Sequence, residues 1–102
     1  MSINDNQHGY MICDVGGTIT EISVYSLGDL LISNSIRTAE ENFNAGIIVD
    51  EIKSILSKIP PEIKSYITEH WIVLSGRENL IKDLSHLIVK ETGVSVTINT
   101  VL

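Results

Sequence analysis

The chain has 102 residues, an apolar share of 43% and a formal net charge of -6 at neutral pH. This length allows one domain with one modest core, and the balance of apolar and charged residues is typical of a folded globular protein. The acidic balance, without any cluster of Lys and Arg, argues against nucleic acid or an anionic membrane as the main partner.

The single cysteine and the amino-terminal stretch indicate where the protein works. Cys13 is the only cysteine and lies in an apolar run, so we expect a buried apolar side chain rather than a reactive thiol. No internal disulfide is possible, which favours the cytoplasm. Residues 1–9, MSINDNQHG, lack the features of a signal peptide, and no apolar stretch approaches the roughly 20 residues of a membrane span. We predict a flexible tail over 1–9 and a single domain over 10–102.

The first third of the domain predicts a three-stranded antiparallel meander. YMICDV, residues 10–15, is a short apolar run, and EISVYSL, residues 21–27, alternates apolar and polar positions. LLISNSIR, residues 30–37, alternates in the same way, with one side formed by Leu30, Ile32, Asn34 and Ile36. Gly16-Gly17 and Gly28-Asp29 are the turn signals between these strands.

A long helix and a short helix are predicted next. Thr38 and Glu41 have the spacing of a capping box, which marks a helix start. An apolar stripe at steps of three and four follows, formed by Phe43, Ile47, Ile48, Ile52, Ile55, Leu56 and Ile59. Pro60-Pro61 ends this helix, and Pro61 suits the first position of a short helix to about Ile67.

The remaining third predicts a strand, a helix and a strand. The first strand covers Trp71 to Leu74 and stops at a Ser75-Gly76 turn; the helix after it ends at Gly93, a residue that suits a helix carboxyl terminus. The last strand alternates from Val94 to Ile98. Because the connection is short, the two strands form a parallel crossover. The predicted fold is α/β, a five-stranded mixed sheet of meander plus parallel crossover with helices packed on it.

The turn DVGGTITE, residues 14–21, is the candidate functional site, and it has two interpretations. In the first, the backbone amides of Gly16 and Gly17 form a concave anion site, Thr18 and Thr20 add hydroxyl donors, and Asp14 holds the hydrated Mg²⁺ of a nucleotide. In the second, the glycines only reverse the chain between strands, and the polar residues bond to local backbone. From the residues alone, the hairpin turn is favoured and phosphate binding stays open.

Two long stretches resemble the MreB/actin-like family of rod-shape-determining proteins. DVGGTITEISVYSLGDLLISNSIR, residues 14–37, is similar to the family's second phosphate-binding hairpin, D-I-G-G-G-T-T-E, and its S-I-R strand end. Residues 48–96 resemble a later segment with a P-P-E-L turn, the adenosine loop I-V-L-T-G-G-G-A-L-L and an E-T-G-L-P-V finish. Sugar kinases have turns similar to DVGGT, so the resemblance depends on the two segments occurring together. It implies a ribonuclease H-like, actin-type subdomain, called IIA in the family.

The resemblance also implies which parts of the family are absent. A second subdomain, IIB, lies between the two segments in the family, and domain I supplies the first phosphate loop and the residues that orient the attacking water. Neither has a counterpart in these residues. We therefore expect an isolated subdomain without ATPase activity.

The resemblance further implies a degenerate nucleotide site. The positions carried over are Asp14, Gly16, Gly17, Thr18, Thr20 and Gly76, with Asp14 reaching Mg²⁺ through water. Thr18 stands in place of the family's third glycine, and Arg77 and Glu78 replace glycines against which adenine lies. Ala39-Glu40-Glu41 replaces a Gly-Gly-Asp near the nucleotide. We expect no cofactor, with ATP and Mg²⁺ bound weakly if bound at all.

Three functions follow as hypotheses. The first is a non-catalytic interaction protein of the cell-shape cytoskeleton that docks on an actin-like homologue or on itself, with a homodimer as one form. The second is a nucleotide- or phosphate-binding module, half of a split ATPase or kinase. The third is an engineered or degenerate fragment without activity of its own. Metal binding by histidine is not expected, because His8, His70 and His86 lack metal-ligand spacing.

Overall fold

The computed structural model describes residues 8–38, 44–70 and 72–101. Its elements follow the predicted order of strands and helices. They are β1 (Tyr10–Val15), β2 (Ile19–Ser26), β3 (Asp29–Arg37), α1 (Ala45–Lys58), α2 (Pro61–His70), β4 (Ile72–Arg77), α3 (Glu78–Thr92) and β5 (Val96–Val101). Among the described residues, no helix combines the length and the apolarity needed to cross a lipid bilayer.

The strands form one mixed sheet in the order β3-β2-β1-β4-β5. Strands β1, β2 and β3 pair antiparallel, as the meander prediction requires. Strand β4 pairs parallel with both β1 and β5. The predicted five-stranded sheet with a parallel crossover is therefore confirmed.

The core lies on one face of the sheet. Alternate side chains of the central strands point into it, and it is closed by the apolar stripes of α1 and α3 and by Ile67 of α2. Its fully buried members include Met11, Cys13, Ile22, Val24, Ile48, Ile52, Ile55, Ile67, Ile72, Leu74, Ile81, Leu84 and Ile88. Each buried Ile or Leu contributes about 1.5–3 kcal/mol relative to exposure. The three helices of the described residues all contribute to this core, so they pack on the same face of the sheet.

The start of α1 differs from the prediction. The helix begins at Ala45, and the side chain of Asn44 caps it by accepting a 2.9 Å hydrogen bond from the Gly46 amide. Thr38 therefore does not cap this helix, and the capping-box prediction is wrong for it; Glu41 and Phe43 lie outside the described residues. The stripe beyond is confirmed except at Ile47, which is 51% exposed.

The end of β4 also differs from the prediction. Ser75 and Gly76 do not form a turn, because the strand continues to Arg77 and α3 begins at the next residue. Gly76 has a φ of 147°, and a Cβ there would lie 2.7 Å from the Val15 carbonyl oxygen. A glycine is needed because β1 passes so close. Trp71, placed in this strand by the prediction, lies outside the described residues.

Smaller shifts occur at other boundaries. The second hairpin turn is Leu27-Gly28, both with positive φ, rather than Gly28-Asp29. Helix α2 continues to His70, and Val94 is buried ahead of β5. Gly93 takes the left-handed conformation expected of a helix end. Of the predicted tail, the last two residues are described: the His8 ring stacks on Tyr66 with centroids 4.7 Å apart, and Gly9 is buried.

Candidate functional site

Strands β1 and β4 run parallel, so their carboxyl ends lie at the same end of the sheet, and this brings most predicted site residues together. In the parallel register, Asp14 lies beside Ser75 and Val15 beside Gly76. The turn over residues 16–18 follows directly, so it lies above the carboxyl ends of both strands. Open α/β sheets bind ligands at the carboxyl ends of their strands. Asp14, the glycine turn and Gly76 thus form one cluster.

Asp14 is the acidic group of this cluster. It is exposed, and its Oδ1 accepts a 2.9 Å hydrogen bond from the Ser75 hydroxyl. Across the antiparallel ladder it faces Glu21. Within the described ranges, no three His, Cys, Asp or Glu side chains are grouped closely enough to hold a metal ion. Asp14 suits contact with a hydrated cation, in which water fills most of the coordination positions.

The glycine turn is closed by its own backbone. The Gly16 amide donates a 2.9 Å hydrogen bond to the Ile19 carbonyl oxygen. A Cβ on Gly16 would lie 2.6 Å from that same oxygen, so the turn requires glycine there. The amides of Gly17 and Thr18 make no backbone hydrogen bond within the described part of the chain, and both residues are exposed. The Gly16 amide, predicted to face an anion together with that of Gly17, is therefore used inside the turn, and the amides left for an anion are those of Gly17 and Thr18.

Thr20 has a different environment from the one predicted. It is fully buried, and its Oγ1 lies 2.7 Å from Oγ1 of Thr38 in a hydrogen bond. The Thr38 amide also donates to the Thr18 carbonyl oxygen at 2.7 Å. In this geometry the Thr20 hydroxyl is used inside the protein, where it fixes the turn to the end of β3.

The other side of the cluster carries charge. Gly76 is buried against β1, and the next residue, Arg77, is exposed at the end of the strand. Glu78 opens α3 and is exposed in its first turn, where a carboxylate interacts favourably with the helix dipole. There is no glycine loop between β4 and α3. Two long charged side chains follow Gly76 directly.

Sequence reasoning missed three residues beside this cluster. Ser75 donates to Asp14, Thr38 fixes the turn, and Arg37 lies beside Ile19 in the ladder between β2 and β3. The register of a parallel pair indicates Ser75, whereas the capping-box spacing of Thr38 points to a helix start instead.

Cys13 lies next to the cluster but on the core face of β1. Burial, and secondarily the charge of Asp14, raise the pKa of its thiol to about 12. At neutral pH the thiol is protonated and unreactive. Of the described histidines, His8 is stacked on Tyr66 and His86 is exposed on α3.

Comparison with known proteins identifies relatives. The family model described as MreB/Mbl protein matches residues 1–49 and 46–101. The cell shape-determining protein MreB of Escherichia coli K12 is 23% identical over 158 residues, which cover 88% of this chain and 46% of the relative. The chain thus spans about half the length of the curated relatives that it matches.

Solved structures give the same fold. The crystal structure of MreB 5 of Spiroplasma citri bound to AMPPNP superposes with a TM-score of 0.78 at 18% identity, covering 94% of this chain and 50% of that one. A Bacteroides thetaiotaomicron protein with an actin-like ATPase fold gives a TM-score of 0.55 at 16% identity, covering 91% of this chain and 33% of that one. These likenesses establish the actin-type fold.

The family match also locates a missing segment. Its two pieces meet at residues 46–49, in the first turn of α1. The alignment with the Escherichia coli protein runs over 158 residues, more than the 102 of this chain, so that relative has residues within the alignment that are absent here. This agrees with the expected absence of an inserted subdomain. The chain belongs to the MreB/Mbl family and has its actin-type α/β fold.

Proposed function

We propose that this protein is a non-catalytic, MreB-like component of a cell-shape cytoskeleton in the cytoplasm, which docks on an actin-type partner or self-associates. One observation carries the proposal: among residues 8–38, 44–70 and 72–101, the three helices all pack on the core face, and none of them covers the opposite face of the sheet. We call it the outer sheet face and define it by Tyr10, Ile12, Tyr25 and Val73, all half-buried.

The outer sheet face has the properties of a docking surface. The parallel strands of α/β proteins normally have both faces covered, because their backbones and apolar side chains are shielded from water by helices. Here the apolar side chains of Ile12 and Val73 are covered only in part. Beside them the rings of Tyr10 and Tyr25 stack with centroids 5.2 Å apart. Tyrosine is among the residues that most often anchor protein interfaces.

The cluster formed by Asp14, the glycine turn and Gly76 also supports a non-catalytic role. Phosphoryl transfer depends on charges placed around the γ-phosphate from both sides of the nucleotide. The cluster at the end of β1 offers the Asp14 carboxylate, which faces Glu21 across the ladder, and two turn amides, while Arg77 and Glu78 follow Gly76 without an intervening loop. We infer that these 102 residues alone do not hydrolyse ATP and bind it weakly or not at all.

A second function keeps one specific observation in its favour. Asp14 is exposed beside the free amides of Gly17 and Thr18, an arrangement with the chemistry for a Mg²⁺-bound phosphate. On this alternative the chain is a nucleotide-binding module whose other half is a separate chain. Calorimetry with Mg²⁺ and ATP distinguishes the two, because only the module is expected to release heat of binding that is lost in Asp14→Ala.

The docking proposal is tested with a purified full-length MreB/Mbl protein as the probe. The wild-type chain is expected to co-sediment with it or to form an oligomer of its own. Ile12→Lys and Val73→Lys place a charge on the outer sheet face and are expected to reduce co-sedimentation at least tenfold. Ile47→Lys, at an exposed position of α1, serves as the matched control and is expected to leave it unchanged.

Two results would refute the proposal. One is a wild-type chain that stays monomeric at high concentration and does not co-sediment with the MreB/Mbl protein. The other is steady ATP turnover by the pure chain that Asp14→Ala abolishes, since this would assign catalysis to the cluster itself.

A further inference from the structure

The two edge strands of the sheet differ in how their free sides are protected. Strand β3 begins at Asp29 and ends at Arg37, and its register with β2 shifts at Val24/Tyr25, which leaves Leu31 without a partner. Flanking charges and bulges are the features by which edge strands avoid pairing with other chains. The free edge of β3 is therefore protected against pairing with a strand of another chain.

Strand β5 carries none of these features. Its sequence VTINTV contains no charged residue, no proline and no glycine, and it pairs with β4 in unbroken register over six residue pairs. Within the part of the chain that the structure describes, β4 is its only neighbour in the sheet. A neutral, regular strand rich in β-branched residues is the kind that accepts another strand at its edge.

The backbone groups that face outward can be identified from the register. The Ile72 amide donates a 2.9 Å hydrogen bond to the Ser95 carbonyl oxygen, so the polar groups of residue 95 point toward β4. Because successive residues of a strand point their amide and carbonyl groups to opposite sides, residues 97 and 99 also face β4. The backbone groups of Val96, Ile98 and Thr100 therefore lie on the outer edge.

Exposed apolar side chains accompany this edge. Ile98 is 45% exposed, on the same side of the sheet as α3. Helix α3 directs Glu91 toward α1, where its carboxylate lies 3.8 Å from Lys53. Val89 is two residues earlier and so lies about 200° around the helix, on the flank away from α1 and toward β5. Val89 is 46% exposed. Ile98 and Val89 give the β5 edge an apolar border.

We propose that β5 is a self-association edge, through which two copies of the chain pair antiparallel about a two-fold axis normal to the sheet. The outward backbone groups then bond in pairs, Val96 with Thr100 of the other copy and Ile98 with Ile98 across the axis. The product is one continuous ten-stranded sheet. Each copy keeps its helices on the same side.

A second copy suits this edge better than a charged partner. The chain carries a net charge of -6, so two copies repel unless they meet where charge is absent. Along β5 every cross-strand pair is neutral, and no like charges stand opposite each other. The arrangement is also self-complementary, as a two-fold interface requires. The inference deepens the proposed function by naming its self-association surface.

The first experiment compares two lysine variants of the full chain by sedimentation equilibrium. Ile98→Lys places two ammonium groups opposite each other at the axis, and Ser35→Lys places the same group at an exposed position on the β3 edge. We expect a wild-type dimer, a dissociation constant raised at least tenfold by Ile98→Lys, and no change with Ser35→Lys. A monomeric wild type, or a dimer unaffected by Ile98→Lys, would overturn the inference. Circular dichroism checks that both variants are folded.

The second experiment identifies the surface directly. Ile98→Cys places thiols on both sides of the axis, whereas the native Cys13 is buried and does not interfere. We expect mild oxidation to cross-link Ile98→Cys into a covalent dimer and to leave Ser35→Cys uncross-linked. If the chain is dimeric but Ile98→Cys does not cross-link, the dimer uses another surface: the β5 inference fails and the proposed self-association stands. Loss of docking by outer-face variants tests the proposed function separately.

Discussion

The hydroxyl pair of Thr20 and Thr38 shows how one buried contact fixes the candidate site. Both residues are buried, and their Oγ1 atoms are 2.7 Å apart. Replacing either hydroxyl by a methyl group leaves the other buried without a partner. We expect Thr38→Val to reduce the free energy of unfolding by about 1–3 kcal/mol, and the Thr20→Val/Thr38→Val double variant to lose less than the two single variants together.

Urea unfolding followed by the fluorescence of the single tryptophan measures this coupling. Thr97→Val, at an exposed position of β5, is the matched control and is expected to change the free energy of unfolding by less than about 0.5 kcal/mol. Strict additivity of the two buried substitutions would show that the hydroxyl pair does not contribute as a unit.

Cys13 gives the protein a specific response to alkaline pH. Its thiol has a pKa of about 12 in the folded chain against an ordinary value of 9.0. Between these values the unfolded thiol loses its proton while the folded thiol keeps it, so stability falls as the pH rises above 9. The loss attributable to this group is about 1.4 kcal/mol for each pH unit.

The measurement is the free energy of unfolding at pH 8 and at pH 10.5, in the wild type and in Cys13→Ala. Other groups titrate in this range in both proteins, so the difference between their pH slopes isolates the thiol. The variant is expected to be less stable at pH 8, because it loses a buried side chain, and to show the flatter decline. Equal slopes would contradict the prediction.

Among the elements, α1 shows where local signals compete. The pair Thr38 and Glu41 has capping-box spacing, but the helix begins at Ala45 and is capped by Asn44. We expect Asn44→Ala to reduce the free energy of unfolding by about 1 kcal/mol, because it removes the acceptor of the Gly46 amide, and Asn44→Asp to retain stability. Chemical denaturation measures both. An Asn44→Ala chain as stable as wild type would show that water replaces the cap at no cost.

The strands could be predicted because the sequence shows a short apolar run in β1 and alternating apolar and polar residues in β2 and β3. Strands β1 and β3 each pair antiparallel with β2, as expected, and the described part of the α1 stripe is buried except at Ile47. The end of β4 was not predictable, because a serine followed by a glycine is also a turn signal. Only the approach of the Val15 carbonyl oxygen explains the glycine at 76, and that approach depends on a strand 61 residues away in sequence.

The residues of the candidate site could be predicted from the sequence, but their hydrogen-bond partners could not. Its motif placed Asp14 and the two glycines at a strand end, where the structure has them. The partners of these residues, Ser75 and Thr38, come from other strands, and a single motif carries no information on which of them it meets. The burial of Thr20 follows the alternation of β2, which also buries Ile22 and Val24, but its hydrogen-bond partner Thr38 lies at the end of another strand.

For the whole molecule, the position of the missing segment has a structural consequence. The two pieces of the family match meet at residues 46–49, where α1 begins under its Asn44 cap. The Escherichia coli relative carries additional residues within the aligned stretch. We infer that the segments before and after this junction fold together whether the connection between them is short or long. The core supports this interpretation, because β1 and β2 pack with α1 and α3 across the junction.

This interpretation predicts that the junction tolerates a long insertion. Ten Gly and Ser residues placed immediately before Asn44 leave the cap and the core contacts intact, and lengthening a connection costs less than about 1 kcal/mol in loop closure. The same insertion between Arg77 and Glu78 separates β4 from α3, which follow each other directly, and we expect a loss of stability several times greater. Urea unfolding of the two variants provides the comparison. If both insertions destabilise the chain equally, the start of α1 is no more permissive than the β4–α3 connection, and the junction does not separate parts that fold together independently of their connection.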